Sequence, residues 1–273
     1  MFLASGKNSH MKMQHDGIDR GNAFDWGLTS GDYARFRDVY PPLFYEKITE
    51  RGLCTSGQKV LDVGTGTGVL PRNMYQYGAE WTGTDREKTQ IAEARRLAEK
   101  AGMNIKFLVS PAESIDFPAG SFDVITACQC FWYFNHKITS PRFAGMLKNN
   151  GRLLILFMAW LPFEDAIANA SEELTLRFNP DWSGARETRH PIWIPDAVFE
   201  HFDMISHEEY DIMIPFTRET WHGRLRASRG VGASLREKDL ALWDAEHRAL
   251  LERIAPERFD ILHYGAIAEL RVK

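Results

Sequence analysis

The chain has 273 residues, of which 44% are hydrophobic and 26% charged, a composition typical of a globular protein with one large core. Its formal net charge of −4 and pI near 6.2 argue against a general nucleic-acid binder, because such proteins usually present a basic face. The longest apolar stretch, residues 153–161, is far shorter than the roughly 20 residues that a membrane helix requires. Since no signal-peptide pattern is present either, the composition favours a cytoplasmic protein without nucleic-acid or membrane partners.

Cysteine usage indicates reduced thiols. Cys54, Cys128 and Cys130 are an odd number for a disulfide framework, and the last two are separated by one residue on a predicted strand, which is poor disulfide geometry. A metal site at Cys128 and Cys130 would need further His or Cys ligands, and no such cluster completes the set. We therefore expect no bound metal.

Two segments precede the first predicted strand. Residues 1–22 are polar and show no hydrophobic period, which predicts a disordered segment or a leader. Residues 32–52 are amphipathic on both sides of Pro41 and Pro42, so two helices broken at the prolines are predicted. We expect segment 23–52 to lie over the mouth of a ligand site.

The middle of the chain alternates between strand and helix patterns. Strands are predicted at 59–63, 81–85, 105–109, 122–127 and 152–158, and helices at 68–78, 87–101 and 138–148. Strands that alternate with helices indicate a parallel sheet with helices on both faces, and thus an α/β fold.

After Trp160 the alternation stops. The patterns predict helices at 164–178, 196–201, 217–229 and 235–254, and strands at 203–213 and 259–272. We interpret residues 23–273 as a single domain in which segments 160–200 and 215–256, together with 23–52, form a lid.

A glycine-rich turn follows the first predicted strand. Residues 60–68 read Val-Leu-Asp-Val-Gly-Thr-Gly-Thr-Gly, an aliphatic strand that runs into Gly64, Gly66 and Gly68. Glycine lets the backbone turn sharply and approach a ligand that a Cβ would obstruct. The pattern therefore indicates a nucleotide-type pocket.

Two features separate this turn from a dinucleotide site. Val69 stands where the G-x-G-x-x-G pattern needs its third glycine, and Asp62 lies inside the strand. The next predicted strand ends at Asp85, whose carboxylate is placed to accept hydrogen bonds from a ribose diol. An NAD-dependent oxidoreductase remains an alternative, but both departures argue against it.

Residues 60–68 and Asp85 resemble the class I methyltransferases that use S-adenosylmethionine, whose first motif has the form hhDhGxGxG and whose second strand ends in an acid. The resemblance implies a Rossmann-like, seven-stranded, mostly parallel sheet with its last strand antiparallel. It also implies methyl transfer to an oxygen or nitrogen of a small molecule. A non-catalytic regulatory protein that binds S-adenosylmethionine is the alternative, because Pro111 and Trp132 replace polar groups of relatives.

The resemblance assigns cofactor contacts to residues near the glycine turn and to the segments around it. They are Tyr33, Arg37, Asp62, Gly64, Thr65, Gly66, Gly68, Asp85, Arg86, Ala112, Glu113 and Gln129. Asp62 matches the family acid that helps to hold the amino group, or it ties down the loop. Asp85 binds the ribose hydroxyls, or it caps the following helix. Tyr33 and Arg37 share a helix face that closes over the cofactor, or they form a surface pair.

Departures from the family pattern affect adenine binding and catalysis. Pro111 stands where relatives carry the Asp that contacts adenine, which leaves the backbone groups of Ala112 and Glu113 for this contact. Trp132 replaces a histidine, so Gln129 and His136 are the remaining catalytic candidates. Methyl transfer from a sulfonium depends largely on positioning and desolvation, so an obvious base is not required.

Residues 221–228 resemble the Trp-x-Gly-x-x-x-x-Ser pattern of the trans-aconitate methyltransferase-like enzymes, whose substrates are small carboxylic acids. Trp221, Arg224 and Ser228 share one helix face, which we expect to point inward, and with Trp132 they are the predicted substrate-binding residues. Arg226 and Arg229 lie on the competing face. The alternative is an ordinary solvated helix face.

Overall fold

The computed structural model describes residues 17–37 and 40–273, with Tyr33 described in its backbone only. One seven-stranded sheet consists of β1 (Lys59–Val63), β2 (Glu80–Asp85), β3 (Lys106–Val109), β4 (Phe122–Cys128), β5 (Leu147–Trp160), β6 (Phe202–Thr217) and β7 (Arg258–Val272). The strand order is β3-β2-β1-β4-β5-β7-β6. The first five strands are parallel, and β7 pairs antiparallel with both β5 and β6. This confirms the predicted fold class.

Helices cover both faces of the sheet. They are α1 (Ser30–Phe36), α2 (Pro42–Thr49), α3 (Val69–Met74), α4 (Lys88–Lys100), α5 (His136–Met146), α6 (Ala166–Phe178), α7 (Asp196–Phe199), α8 (Arg218–Arg226) and α9 (Glu237–Ile254). Successive residues of β5 point to opposite faces: Leu154 and Leu156 join the core that contains α6, α8 and α9, whereas Leu153 and Ile155 pack with α5 and α7. The strand β5 is therefore buried on both sides.

Several elements differ in length from the sequence prediction. The helix predicted at 68–78 ends at Met74 and continues as a 3-10 turn to Tyr77, because Gly78 adopts a left-handed φ of +83°. The strands β5 and β6 are longer than predicted, since pairing with β7 extends them to Trp160 and Thr217. The antiparallel ladders with β7 therefore extend beyond the residues whose apolar pattern predicted the two strands.

The predicted disordered leader over 1–22 does not hold for residues 17–22. The Asp19 carboxylate accepts hydrogen bonds from the Ser183 amide at 2.8 Å and the Ser183 hydroxyl at 3.0 Å, and lies 2.9 Å from the Arg229 guanidinium. The polar composition of this segment thus reflects specific contacts with two other parts of the chain. Residues 1–16 lie outside the described part of the structure.

The segments predicted as a lid contact one another. The helices α8 and α9 separate β6 from β7, as predicted, and α1 packs against α8. Arg226 on α8 forms ion pairs with Asp32 on α1 and, at 3.0 Å, with Asp244 on α9. Over residues 17–37 and 40–273, no helix has the length and apolar character needed to cross a membrane.

Candidate active site

A cavity of about 480 Å³ lies at the carboxyl ends of the parallel strands. Strand ends and the turns after them contribute Gly64, Asp85, Gln129 and Met158, and α8 contributes Arg224. Ligands of open α/β sheets bind at this edge, where adjacent loops leave a crevice. The fold therefore brings the glycine turn and the predicted substrate helix to one cavity.

The glycine turn needs its glycines for two reasons. Gly64, Gly66 and Gly68 have φ of +69°, +56° and +73°, a left-handed region that side chains rarely adopt. A Cβ on Gly64 would also stand 2.6 Å from the Cys130 sulfur, and one on Gly68 would stand 2.8 Å from the Phe107 ring. Gly64 and Gly66 line the cavity, whereas Gly68 lies behind it against Phe107.

Thr65, within the same turn, does not line the cavity. Its amide donates to the Thr84 carbonyl at 2.9 Å, which fixes the turn to β2. Its side chain is buried. The structure thus gives Thr65 a role in holding the loop.

Asp85 lies at the cavity wall and also organises the glycine turn. Its Oδ2 accepts a hydrogen bond from the Gly66 amide at 2.9 Å, and its Oδ1 accepts one from the Glu87 amide at 2.8 Å. Burial raises the pKa of Asp85, and these two amides oppose that effect. Because a carboxylate oxygen accepts more than one hydrogen bond, Asp85 can hold the turn and still accept from a diol. The helix α4 begins later, at Lys88, so Asp85 is not its N-cap.

Asp62 lies beneath the turn and does not line the cavity. Its Oδ1 accepts a hydrogen bond from the Thr126 hydroxyl at 2.6 Å, which joins β1 to β4. Burial raises the pKa of Asp62 to about 6, against the lowering effect of the hydrogen bonds from Thr126 and Thr65. The printed hydrogen bond gives Asp62 a structural role between β1 and β4, and both the loop-tying role and the contact with an amino group stay predictions.

The cavity end next to β3 is an apolar slot. Pro111, Ala112 and Glu113 line it. The Glu113 carboxylate accepts from the Asn135 amide at 2.9 Å, which joins this turn to the start of α5. His136 lines the same end, with its ring centroid 4.3 Å from that of Phe131, and burial lowers its pKa. Flat rings and backbone groups of this kind suit a planar base.

Gln129 occupies the turn after β4 in a left-handed conformation, with φ of +63°. Its amide donates to the Leu156 carbonyl at 2.9 Å, and its side-chain amide donates to the Met158 carbonyl. Both hydrogen bonds fix Gln129 to β5 and balance the strain of its backbone. The side chain that lines the cavity is therefore held in one orientation.

Arg37 and Arg86 also line the cavity, on the side of the N-terminal segment. The guanidinium carbon of Arg37 lies 5.9 Å from the Trp26 ring centroid. The side chain of Tyr33 lies outside the described part of the structure, so the predicted pairing of Tyr33 with Arg37 stays a prediction.

The far end of the cavity is both basic and aromatic. Arg224 is buried, with its guanidinium carbon 4.9 Å from the Trp160 ring centroid. Ser228, Arg229 and Trp182 line the same end. A cationic group in such an enclosed, aromatic setting suits an anionic ligand.

Trp221, predicted to bind substrate, does not line the cavity. It is fully buried, and its indole nitrogen donates to the Ser171 hydroxyl at 3.0 Å. It supports the cavity from behind, with its ring centroid 5.3 Å from that of Trp160. Arg226 points away from the cavity toward its two aspartates, so Arg224 and Ser228 are the members of the favoured helix face that reach it.

Sequence reasoning missed a polar cluster on the cavity wall. Glu187 and His190 lie in the irregular segment before α7, with the His190 Nε2 2.6 Å from the Glu187 Oε1. Tyr264 on β7 donates its hydroxyl to the same carboxylate oxygen at 2.9 Å. The spacing of Glu187 and His190, three residues apart, is the only local signal. Within the described ranges, no group of three or more potential metal ligands is present.

Residues 60–151 match the family model of a methyltransferase domain. A ubiquinone biosynthesis O-methyltransferase of Bradyrhizobium diazoefficiens is 33% identical over 130 residues, which are 46% of this chain and 50% of that protein. The methyltransferase YcgJ of Bacillus subtilis is 28% identical over 191 residues, 68% of this chain and 71% of that protein. The chain spans about half the length of several curated relatives that it matches.

Solved structures agree in fold. The crystal structure of YcgJ superposes with a TM-score of 0.50 at 22% identity and covers 84% of this chain and 97% of YcgJ. A Haemonchus contortus phosphoethanolamine N-methyltransferase, solved with S-adenosylhomocysteine, gives a TM-score of 0.52 at 17% identity and covers 90% of this chain and 57% of that one. The matched domain over residues 60–151, the glycine turn and the strand order together support a class I S-adenosylmethionine-dependent methyltransferase.

Proposed function

We propose that this chain transfers the methyl group of S-adenosylmethionine to an oxygen or nitrogen atom of a small, carboxylate-bearing molecule. The observation that carries the proposal is a single cavity with Gly64, Gly66 and Asp85 at one end and the buried Arg224 at the other. The first set suits a nucleoside-containing cofactor, and the second suits an anionic acceptor.

The cofactor end fits S-adenosylmethionine in shape and in polarity. Gly64 and Gly66 line the cavity with backbone that carries no side chain, so a ligand can approach this turn closely. Asp85 supplies an acceptor for the ribose hydroxyls, and the slot beside Pro111 and Phe131 supplies apolar walls for adenine. When bound, S-adenosylmethionine supplies a methyl group that its positive sulfonium activates toward nucleophiles.

The acceptor end fits a carboxylate. A guanidinium group binds a carboxylate through paired hydrogen bonds, and this interaction strengthens where water is excluded. Trp160 and Trp182, both buried, provide that exclusion around Arg224. Arg229 lies at the same end and already pairs with Asp19, so we assign it to closure of the N-terminal segment.

The chain's contribution to the reaction is mainly positioning. An in-line displacement requires the nucleophile, the methyl carbon and the leaving sulfur to be aligned, and holding two reactants in one cavity supplies much of the rate acceleration. Gln129, fixed to β5 by two hydrogen bonds, is a rigid wall between the two ends. The aromatic lining excludes water from the reacting atoms.

Calorimetry against S-adenosylmethionine and S-adenosylhomocysteine tests the cofactor assignment, and release of S-adenosylhomocysteine with a panel of small carboxylic acids tests the activity. We expect binding of both nucleosides and turnover with at least one acid. Lack of binding by either nucleoside at millimolar concentration would contradict the proposal. Turnover with any small acceptor would exclude the non-catalytic alternative.

A further inference from the structure

Gln90 is a buried polar residue on the inward face of α4. The other buried residues of this helix are Ile91, Ala94 and Ala98, which pack with Phe107 on β3. The Gln90 side chain is 3% exposed, and it also lines the cavity. An amide in such a place needs hydrogen-bond partners, because burial removes the water that would otherwise bind it.

One branch of the Gln90 amide has a partner, and the other has none among the described residues. The Nε2 donates to the Trp26 carbonyl at 3.4 Å. The same carbonyl accepts from the Thr29 hydroxyl at 3.1 Å. The Oε1 of Gln90 is buried and accepts no hydrogen bond from residues 17–37 and 40–273. The cavity wall therefore contains an acceptor that the described chain leaves unsatisfied.

The Trp26 carbonyl determines which way the Gln90 amide faces. A carbonyl oxygen only accepts hydrogen bonds, so the group that lies against it is the NH2 of the amide. Reversing the amide would place Oε1 against the carbonyl oxygen, and two acceptors do not bond. The unsatisfied branch of the amide is therefore an oxygen, which selects a ligand group that donates.

The turns after β2 and β3 place Gln90 at the cavity end next to β3. Asp85 pairs with Val109 in the sheet, and the Ser110 amide donates to the Asp85 carbonyl at 2.8 Å. Gln90 lies in the first turn of the helix that follows Asp85. Pro111 lies in the turn that follows Val109, and both Gln90 and Pro111 line the cavity. This arrangement puts Gln90 beside the apolar slot proposed for adenine.

Other acceptors near this slot are engaged or missing. Pro111, which stands where relatives carry an Asp, has neither an N–H group nor a polar side chain. The Ser110 hydroxyl donates to the Pro111 carbonyl at 3.2 Å. The Glu113 carboxylate accepts from the Asn135 amide at 2.9 Å. The turn after β3 therefore offers a purine less than it does in relatives.

His136 is the rival of Gln90 at this end, because its buried Nδ1 also has no partner among the residues that the structure describes. The Nδ1 of an imidazole accepts in one tautomer and donates in the other, so it does not discriminate between an amino group and a carbonyl. The amide of Gln90 is held in one orientation by Trp26 and does discriminate.

We propose that Gln90 recognises the adenine of S-adenosylmethionine, with its Oε1 accepting a hydrogen bond from the exocyclic amino group. The inference rests on the proposed function. Glutamine amides pair with adenine in this way, since the amide oxygen meets the amino group and the amide nitrogen meets a ring nitrogen. The Nε2 has a second hydrogen beyond the one directed at Trp26, which is available for that ring nitrogen. Gln90 thereby supplies from α4 the contact that the family Asp supplies from the turn after β3.

This assignment predicts selectivity for adenine over hypoxanthine. Hypoxanthine carries a carbonyl oxygen in place of the amino group, and that oxygen would face the Oε1 of Gln90. Reversing the amide would bring Oε1 against the Trp26 carbonyl, so one pair of acceptors meets in either orientation. A site that hydrogen-bonds a ligand group rejects an analogue without that group more strongly than an apolar site does.

Calorimetry with S-adenosylhomocysteine and S-inosylhomocysteine tests the inference on the full chain without a methyl acceptor. We expect wild type to bind the inosyl compound about 10- to 100-fold more weakly. Gln90→Met, which keeps the side-chain length but lacks the amide, should bind S-adenosylhomocysteine about 10-fold more weakly and lose most of the preference. Gln76→Met makes the same substitution at an exposed residue outside the cavity, and it should keep both affinities.

Urea denaturation without ligand separates ligand recognition from a structural role. Gln90→Met removes the unsatisfied oxygen, and the Trp26 carbonyl keeps its hydrogen bond from Thr29. We therefore expect no fall in the midpoint of unfolding. A lower midpoint together with an equal loss of affinity for both compounds would assign Gln90 to the packing of α4 and overturn the inference.

Three other outcomes are decisive. Equal binding of both compounds by wild type, or a preference that Gln90→Met retains, overturns the inference and leaves the proposed function intact. Loss of the preference in His136→Phe but not in Gln90→Met assigns the contact to His136 and also overturns it. Failure of wild type to bind S-adenosylhomocysteine instead rejects the proposed function.

Discussion

The ring of Phe36 in α1 lies directly against Gly223 in α8, so closely that a Cβ on residue 223 would stand 2.4 Å from it. This contact holds the first helix of the N-terminal segment on the helix that carries Arg224. Closure of the cavity therefore requires a glycine at position 223, because any side chain there would collide with the Phe36 ring.

Gly223→Ala should separate these two helices. We expect a loss of about 1 to 3 kcal/mol in the free energy of unfolding, the usual cost of overpacking, and weaker cofactor binding. Urea denaturation and calorimetry measure the two effects. Gly145→Ala on α5 is the control, because a Cβ there meets nothing within 4 Å, and it should not weaken either quantity.

Asp85→Ala should weaken S-adenosylmethionine binding by about 1 to 3 kcal/mol, the range for losing hydrogen bonds to a charged group. Asp123→Ala is a suitable control, since Asp123 pairs with Lys148 and does not line the cavity. If Asp85→Ala bound the cofactor as tightly as wild type in calorimetry, the carboxylate would serve only the Gly66 and Glu87 amides.

Gly66→Val should abolish cofactor binding while the fold survives. Its φ of +56° is strained for a β-branched residue, and the side chain would project where the ligand approaches the turn. Circular dichroism checks the fold, and calorimetry checks binding. Retention of binding would show that the ligand does not contact this turn.

Arg224→Ala and Arg226→Ala should have different effects, because the two side chains point in different directions. Arg224 lines the cavity, whereas Arg226 joins Asp32 to Asp244. We expect Arg224→Ala to lower kcat/KM for a carboxylate acceptor by about 10- to 100-fold and to spare cofactor affinity. Arg226→Ala should lower stability only. The acidic-acceptor proposal fails if Arg224→Ala keeps wild-type turnover.

A buried histidine pair should make the fold sensitive to acid. The Nδ1 atoms of His222 and His247 lie 2.9 Å apart, and burial lowers their pKa values to about 4 and about 3. In the unfolded chain both imidazole rings become protonated as the pH falls below about 6.5. In the folded chain they stay neutral to a lower pH. The unfolded state therefore binds more protons as the pH falls from about 6.5, and stability decreases by about 1.4 kcal/mol per pH unit for each histidine.

His247→Phe isolates this effect. Asp62 and Glu172, whose pKa values burial raises to about 6 and about 7, bind protons in the folded state and oppose the histidines. The difference between variant and wild type removes their contribution. Between about pH 7 and about pH 5, the free energy of unfolding of His247→Phe should fall by about 1 to 2 kcal/mol less than that of wild type. An equal loss in urea denaturation would contradict the assignment.

The sequence was most informative where local rules determine structure. Short aliphatic runs that alternate with helical patterns predicted the strands, and the spacing of Gly64, Gly66 and Gly68 predicted the turn after the first of them. Helix-face reasoning was less successful at Trp221. It assumes that one side of a helix meets solvent, but residues 221–225 of α8 are all buried, so every side of that helix contacts protein.

The Glu187 and His190 cluster could not be found from local patterns. It lies in a segment without regular structure, and its third member, Tyr264, is 77 residues away from Glu187 along the chain. Only the pairing of β7 between β5 and β6 brings Tyr264 to Glu187 on the cavity wall. Such a site depends on the order of the strands in the sheet, and the periodicity of apolar residues along the chain does not determine that order.

The ladder between β6 and β7 has a consequence for how molecules enter and leave. It continues to the pair Thr217 and Arg258, so the inserted helices α8 and α9 are anchored at both ends by paired backbone. The N-terminal segment instead holds to the rest of the chain through contacts such as the ion pair between Asp19 and Arg229. We therefore expect exchange of reactants and products to pass beneath residues 17–37, with the lifetime of the bound state governed by how often that segment detaches.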